Sequence, residues 1–252
     1  MRGRWRGFVI PVLAFALWEL GSRAGILPHD TMSRPSDIAV AGWEALGDGS
    51  LLTATFQTFE NALLGLAIGT TIGILISLPL GLSPVVEAIV SPSLETLRPI
   101  PSVALIPLAL LLFGFGLRME VLVVSFACVW PVMVVSVSAI RGIDPRLIEV
   151  GRMIEMPVAL RMLRIVLPAA LARIGVGIRV AAGVALVVAV TVEIVLNPQG
   201  LGYGMMAASQ SLHPELMWAE LLWVGIVGWS FNALLVGAER RWLGRFMVAG
   251  AA

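Results

Sequence analysis

Lysine is absent from this sequence, and all 17 of its basic side chains are arginine. A phosphate-binding loop of the type GxxxxGK[ST] requires its lysine, so the chain carries no nucleotide-hydrolysing site of that type. Any work driven by ATP must therefore be done by a partner. Cys128 is the single cysteine, which excludes an internal disulfide and a cysteine cluster. The two histidines, His29 and His213, are far apart in predicted loops, so we expect no metal site.

Charge of either sign is also scarce. Only 13% of the residues are charged, whereas soluble domains carry about 25%. Hydrophobic residues make up 58% of the chain, and the mean hydropathy is +0.94. Several windows exceed the roughly 18 apolar residues that indicate a spanning helix, and alternating ten-residue strands are absent. These features predict an all-α integral membrane protein.

About six apolar segments are expected to cross the membrane, in one domain over residues 1–252. The first follows a basic start at 1–7 and is either an uncleaved span or a signal peptide. Pro11, Trp18 and Glu19 interrupt it and no small-residue cleavage site is clear, which favours the span. Residues 1–51 would hold this span and a polar segment, and residues 52–241 the core bundle. The expected spans are 8–20, 52–80, 85–112, 121–139, 174–196 and 217–237.

Shorter features connect these spans. Ser36 or Asp37 is expected to cap a short amphipathic helix at 38–46. The second span is rich in small residues that let membrane helices approach closely. They are Gly65, Gly69, Thr70, Thr71 and Gly73. Turns are predicted at 81–84 and 114–120, and a further short helix at 203–211.

The third span is expected to be broken. Prolines follow Ser91, Arg98 and Ile100, and each removes a backbone donor and clashes with the preceding turn. Glu95 and Arg98 are three residues apart and can pair, and charges at this depth are costly in lipid. Two interpretations stay open: a salt bridge that locks helix packing, or a pore wall or gate. The candidate path residues are Glu95, Arg98, Pro99 and Pro101.

The segment 144–171 is the one long charged stretch. Its charged residues recur mostly every third position on neighbouring helical turns, with apolar residues between them. They are Arg146, Glu149, Arg152, Glu155, Arg161 and Arg164. Pro157 can open a second short helix. The pattern predicts a helix–turn–helix outside the bilayer, either as a handle for a partner or as a solvated loop helix alone.

Arginine placement indicates the orientation. Six spans put both termini and the 144–171 segment on one side, with eleven arginines there against three opposite. The eleven are Arg2, Arg4, Arg6, Arg141, Arg146, Arg152, Arg161, Arg164, Arg240, Arg241 and Arg245; the three are Arg23, Arg34 and Arg118. By the positive-inside rule, the first side is cytoplasmic.

The charged segment and three other stretches match the motifs of a known family. Glu149-Val150-Gly151, followed by Leu167-Pro168, resembles the cytoplasmic "EAA" loop of permease subunits of bacterial ABC importers. Three further stretches are similar to the nitrate/sulfonate/taurine/bicarbonate-type branch: 97–116, 167–183 and GLGYGM at 200–205. Together they cover most of 52–241. The resemblance implies a type I importer permease fold with a coupling helix inside 144–171.

The resemblance also implies an assembly in the bacterial inner membrane. Two permease copies, as a homodimer or heterodimer, would surround one path for a sulfonate, nitrate or similar anion. A cytoplasmic ABC ATPase dimer would bind ATP and Mg, and a periplasmic or lipid-anchored binding protein would deliver the solute. This chain would contact lipid but no nucleic acid, hold no cofactor and catalyse no reaction. The coupling helix would insert into a groove on the ATPase through Glu149, Gly151, Arg152, Glu155, Met156 and Pro157.

Comparison with the family pattern gives one departure and one match. The family has Gly-Ala where this chain has Glu155-Met156, and glycine permits the positive φ that Glu tolerates poorly. We therefore expect Pro157 to impose a different turn. Glu193 lies where the family carries an acidic residue before the outer loop. It would act on the outer gate, contact the binding protein, or bond to a neighbouring helix.

The alternative from another class is a stand-alone secondary transporter or channel driven by an ion gradient. That function would require internal repeats and several buried carboxylates near the middle of the membrane, and no clear repeat is present. An intramembrane enzyme is disfavoured because no nucleophile and base, such as serine and histidine, are predicted at matching depth.

Overall fold

The computed structural model describes residues 6–26 and 32–247, and the side chains of Ile10 and of residues 13–26 and 32–238. His29 and residues 1–5 of the basic start lie outside these ranges, as do the side chains of Arg240, Arg241 and Arg245. The described chain is helical and contains no strand. The helices are α1 (Arg6–Arg23), α2 (Pro35–Gly47), α3 (Ser50–Leu82), α4 (Pro84–Leu97), α5 (Ile106–Phe113), α6 (Leu117–Arg141), α7 (Pro145–Met153), α8 (Val158–Arg161), α9 (Leu167–Val195), α10 (Gly200–Gln210) and α11 (Pro214–Met247).

Four described helical stretches are long and apolar enough to cross a membrane. They are Ser50–Leu82, Leu117–Arg141, Val158–Gln210 and Pro214–Ala238. Helix α4 and the stretch Ser102–Phe113 form a fifth crossing that bends by 81°. The break confirms the prediction for the third span, and it coincides with Pro99 and Pro101. The expected first span lies in α1, which has three charged residues among its 18 and is not one of these five crossings.

Helices α3 and α6 form the centre of the bundle and run parallel. Residues of α3 meet α6 residues 59 positions later in the chain. A Cβ at Gly65 would lie 2.5 Å from Val124 Cγ1, and one at Gly69 would lie 2.5 Å from the carbonyl oxygen of Ser125. Small residues recur at every fourth position because the backbones touch there. The series is Gly65, Gly69, Gly73, Ser77 and Gly81, and it confirms the close approach expected for this span.

Helix α9 runs antiparallel to α6 and packs on its other side. The Cys128 thiol donates to the carbonyl oxygen of Ala181 at 3.5 Å, and a Cβ at Gly177 would lie 3.0 Å from Val135 Cβ. Ser50, Leu117 and Val195 therefore lie at one end of the bundle, which we call the far end. Leu82, Arg141 and Leu167 lie at the other, which we call the loop end.

Two local predictions are wrong. Helix α2 begins earlier than expected, at Pro35, and its N-cap residue Arg34 makes no side-chain cap. Ser36 instead donates to the Glu19 carboxylate through its N–H and Oγ, each at 3.1 Å. The turn expected at 114–120 is confined to 114–116, since Gly114 and Gly116 take φ values of +71° and +108°. Glu120 therefore lies inside the first turn of α6.

Candidate functional site

A buried carboxylate at the far end holds the start of α10. Glu193 lies in the last turn of α9 and is 1% exposed. Its Oε2 accepts hydrogen bonds from Thr58 Oγ1 at 3.0 Å and from the Gly202 N–H at 2.9 Å. Thr58 in turn accepts the Leu201 N–H at 3.0 Å. One side chain thus joins α9, α3 and α10 through bonds shielded from water.

A second carboxylate lies at the same end. Glu120 is fully buried, and its Oε2 accepts the side-chain amide N–H groups of Asn61 at 2.7 Å and of Asn197 at 2.6 Å. Asn61 lies on α3, Glu120 lies on α6, and Asn197 lies two residues after the end of α9. We call Thr58, Asn61, Glu120, Glu193 and Asn197 the outer network, where outer refers only to the far end of the bundle; all five side chains are buried.

The outer network is rich in acceptors. Glu120 Oε1, Glu193 Oε1 and Asn197 Oδ1 are buried and accept no hydrogen bond from the described residues. Buried polar atoms are normally paired, because an unpaired one loses its hydration without compensation. The carboxyl groups of Glu120 and Glu193 are also in side-chain hydrogen-bond contact with each other, so a proton held by either one would supply a donor to the other.

The glycines of GLGYGM are explained by the carboxylates beside them. A Cβ at Gly200 would lie 2.7 Å from Glu193 Oε2, and one at Gly202 would lie 2.7 Å from Glu193 Cβ. A Cβ at Gly204 would lie 2.8 Å from the Oε2 atom of Glu220, a buried residue of α11. Helix α10 therefore packs closely between Glu193 of α9 and Glu220 of α11. It extends three residues further toward the N-terminus than the predicted 203–211 helix.

The predicted path residues lie around the bend between α4 and α5. Glu95, Arg98, Pro99 and Pro101 are all exposed, and Arg98 directly follows the last residue of α4. In the described structure Glu95 and Arg98 form no ion pair with each other, although the sequence spacing permits one. Arg98 keeps helical backbone angles and its N–H donates to the carbonyl oxygen of Leu94 at 2.9 Å, so the backbone spacing still permits the pair and only the side-chain conformations keep the charges apart. Glu193 is not near these residues; it belongs to the outer network.

A cleft of about 170 Å³ separates α4 from α6. On its α4 side lie four polar residues at helical spacing: Glu87, Ser91, Glu95 and Arg98. Its α6 side is apolar and comprises Met133, Val134 and Val137. Glu87 is paired with Arg141, whose guanidinium also donates to the carbonyl oxygen of Leu80 at 3.4 Å.

The predicted docking loop forms the loop end. Asp144 caps α7 by accepting the Arg146 N–H at 2.9 Å. Glu149, Arg152, Glu155 and Pro157 are exposed and Met156 is half-buried. Gly151 differs, because it is buried where a Cβ would lie 2.8 Å from Ile165 Cδ1 and 3.0 Å from Arg161 Cδ. Its place is therefore in the packing of α7 against the segment that follows.

The turn after α7 keeps the backbone that a glycine would adopt. Glu155 has φ +51°, the Met156 N–H donates to Gly151 O at 3.0 Å, and the Glu155 N–H donates to Arg152 O at 3.0 Å. These two bonds around a left-handed residue form a Schellman motif. The expectation that Pro157 would impose a different turn is wrong. Pro157 is instead the extended residue before α8, so it leaves the preceding turn unchanged.

Sequence reasoning missed most of the outer network. The sequence pattern singles out only Glu193 and predicts that Glu120 lies in a turn. The signal that was available is general: an ionisable residue inside an apolar helix needs a named partner. Asn61 and Asn197 are such partners, but they lie 59 and 77 residues from Glu120 in the chain.

Known proteins are similar to this chain in sequence and in fold. The family described as "Binding-protein-dependent transport system inner membrane component" matches residues 69–244. The putative aliphatic sulfonates transport permease protein of Bacillus subtilis is 29% identical over 96% of this chain and 87% of its own length. The taurine transport system permease protein of Escherichia coli is 26% identical, over 81% of this chain and 74% of its own. The bicarbonate transport system permease protein of Synechococcus elongatus is also 26% identical, over 97% and 94%.

A solved structure supports the fold assignment. The chain in "Crystal structure of an amino acid ABC transporter with histidines" superposes with a TM-score of 0.62 at 20% identity. The match covers 79% of this chain and 97% of that one. The helices described above therefore have the type I importer permease fold. The chain belongs to the family of inner membrane components of binding-protein-dependent transport systems, and it is an ABC transporter permease.

Proposed function

We propose that this permease works in an ATP-driven importer and forms the translocation path for a small solute, a sulfonate, nitrate or similar anion. A binding protein, periplasmic or lipid-anchored, delivers the solute at the far end. A cytoplasmic ABC ATPase dimer binds ATP and Mg and docks at the loop end. This chain supplies the path and the docking loop, and the partner hydrolyses ATP.

The observation that carries this proposal is the loop end itself. The short helix α7 lies outside the bundle. Asp144 caps its start, a Schellman motif ends it, and its charged side chains are exposed. Glu149 and Arg152 lie on that exposed surface, one turn apart, where they suit pairing with charges that line a groove. The excess of arginine on this side supports a cytoplasmic placement of the loop and of both termini.

The bent crossing supports the path assignment. None of the residues of α4 is buried within the described chain, so the rest of the chain encloses this helix little. Its exposed apolar residues include Val85, Ile89 and Leu97. A second permease copy would cover this side, and Glu95, Arg98, Pro99 and Pro101 would then line the space between the copies. We expect Glu193 to set the position of α10 at the outer gate.

Coupled motion requires the ATPase to move the loop and the loop to move the bundle. ATP-driven closure of the ATPase dimer would draw the two loops together, and the spans would tilt as rigid bodies. Gly151 suits this role, because its close contact with the segment after α8 makes α7 and the start of α9 one packed unit.

The experiment is co-purification followed by uptake. We expect the tagged chain to bring down a soluble ATPase, and ATP-dependent uptake in proteoliposomes to stop when that ATPase is inactivated. E149K is expected to reduce the bound ATPase at least tenfold while the spans remain folded. E60K is the matched control, since Glu60 is exposed on α3 near the far end.

Two results would reject the proposal. Uptake by the chain alone, driven by an ion gradient, would establish a stand-alone secondary transporter instead. Unchanged ATPase stoichiometry and uptake in E149K would remove the docking assignment of the loop.

A further inference from the structure

The two carboxyl groups of the outer network each have one oxygen with two donors and one oxygen with none. Oε2 of Glu120 accepts two side-chain amide N–H groups, and Oε2 of Glu193 accepts one hydroxyl and one backbone N–H. Oε1 of each residue is buried and accepts no hydrogen bond from the described residues. The two carboxyl groups are nevertheless in hydrogen-bond contact with each other. Because each Oε2 atom already has two donors, the Oε1 atoms are the ones left to make this contact.

No positive charge is buried beside this contact. The buried charged residues of the described chain are all glutamates, namely Glu120, Glu193 and Glu220, and no arginine or histidine is buried there. The other ionisable residues at this end of the elements packed around the pair are the exposed Glu60, Arg118, Tyr203 and His213, the half-buried Glu215, and Glu220 itself. Two ionised carboxylates in contact would repel each other strongly in a buried site that holds no cation, so one of the two must be neutral.

We propose that Glu120 and Glu193 form a proton-binding site, in which one proton lies between their Oε1 atoms and is shared by the two carboxyl groups. The protonated carboxyl donates to the other, which remains an anion, so both Oε1 atoms gain a partner. A hydrogen bond from a carboxylic acid to a carboxylate is charge-assisted and is therefore a strong one. The four donors on the two Oε2 atoms stabilise the single negative charge that remains.

A proton suits this site better than a metal ion does. The described residues include no group of three His, Cys, Asp or Glu side chains that could hold a metal. A calcium ion takes about six to eight oxygen ligands around one centre, which this pair and its neighbours do not supply. The direct contact between the carboxyl groups leaves space for a proton between them, whereas an ion would push them apart.

The proton also affects how α10 is held. Glu193 accepts the Gly202 N–H of α10 and the Thr58 hydroxyl of α3, and the shared proton adds α6 through Glu120. Without the proton, repulsion between the carboxylates would move the Glu193 side chain, and with it the start of α10, away from α6. Proton occupancy is therefore coupled to the position of α10. This site is separate from the transported solute and does not depend on the importer proposal.

Infrared difference spectroscopy of the purified full-length chain detects the proton directly. A protonated carboxyl has a C=O stretching band that a carboxylate lacks, and this band shifts in D₂O. We expect the unmodified protein at neutral pH to show the band and E120Q and E193Q each to lose it. In either variant the glutamine amide donates to the remaining carboxylate, which then needs no proton. E220Q is the matched control, because Glu220 is a buried glutamate outside the pair, and it should keep the component that both other variants lose.

Unfolding temperatures give a second measurement. In E120Q and in E193Q the glutamine carbonyl replaces Oε2 as the acceptor, so each should unfold within a few degrees of the unmodified protein. In E120Q/E193Q two amide N–H groups meet where one proton lay, and turning either amide would direct its N–H groups at the donors that Oε2 receives. We expect the double variant to unfold about 5 °C or more below the temperature that the two single shifts add up to.

Four results would overturn the proposal. A band that only one of the two single variants removes would assign the proton to one independent carboxylic acid. Absence of the band from the unmodified protein would show that neither carboxyl is protonated. A higher unfolding temperature in sodium than in choline chloride at equal ionic strength, lost in E120Q and E193Q, would assign the site to a metal cation. Additive shifts in the double variant would show that the two side chains do not share a donor.

Discussion

The backbone N–H of Gly202 donates a 2.9 Å hydrogen bond to Oε2 of Glu193, and the Cβ of that glutamate occupies the space beside the glycine. A Cβ at residue 202 would also collide with the carbonyl oxygen of Val190. The hydrogen bond depends on glycine at position 202, because a residue with a side chain could not bring its backbone N–H this close to α9. The position of α10 therefore depends on two residues of different helices.

The first prediction concerns that contact. G202A should displace α10 from α9 and lower the free energy of unfolding by about 1–3 kcal/mol, the usual cost of overpacking. Thermal unfolding of the detergent-solubilised protein measures it. G225A in α11 is the control, because an added Cβ there would meet nothing within 4 Å. Equal unfolding temperatures for the two variants would show that α10 is not held by this contact.

The second prediction concerns Glu120. E120A leaves the amide donors of Asn61 and Asn197 buried without an acceptor, and each such group costs about 1–3 kcal/mol. We expect a loss of about 2 kcal/mol or more. E120Q retains a carbonyl oxygen as the acceptor, and its amide can donate to the unpaired Asn197 Oδ1. It should therefore unfold within a few degrees of the unmodified protein; a loss as large as that of E120A would disprove this account of the outer network.

The third prediction uses the left-handed turn. Glu155 takes φ +51°, a conformation that costs an L-residue with a side chain about 1–2 kcal/mol. E155G should relieve this strain and, after the entropy that glycine adds to the unfolded chain, stabilise the loop by about 0.5–1 kcal/mol. E149G places the same change inside α7 and should destabilise by a similar amount. Hydrogen exchange of the loop amides distinguishes them: exchange should slow in the first variant and quicken in the second.

The fourth prediction tests the helix contact at the centre of the bundle. G69A places a Cβ 2.5 Å from the carbonyl oxygen of Ser125, so α3 and α6 must separate. We expect a loss of about 1–3 kcal/mol. G183A, in α9, meets open space and should be neutral or slightly stabilising, since alanine favours helix over glycine. A lower stability of G183A than of G69A would contradict the close contact between α3 and α6 described here.

The sequence predicted the long elements well, because a spanning helix needs only local information. Apolar runs of sufficient length predict α3, α6, α9 and α11, and the prolines around Arg98 predict the bend. Boundaries were less accurate where a residue's conformation depends on its neighbours. Gly114 and Gly116 end the turn before Leu117, and Pro35 starts α2 before the expected cap.

The two candidate sites also differ in how well the sequence predicted them. The docking loop was visible in the sequence because its charges recur at helical spacing, and periodicity is a local property. The outer network was not, because the hydrogen bonds among its members join residues 59 to 135 positions apart. Its glutamates and asparagines carry no common spacing that a reader of the sequence would recognise.

By itself, the sequence determined that this chain is a membrane protein built from a bundle of helices. It also determined that the chain has no lysine-containing phosphate loop for nucleotide hydrolysis, and that one charged segment lies outside the bundle. Composition and period are enough for these conclusions, since each depends on residue type alone. The tertiary structure decided which carboxylates are buried together, that Glu155 adopts a glycine's conformation, and that Glu95 and Arg98 stay unpaired beside a cleft. These follow from distances between helices, which packing sets and which no local pattern encodes.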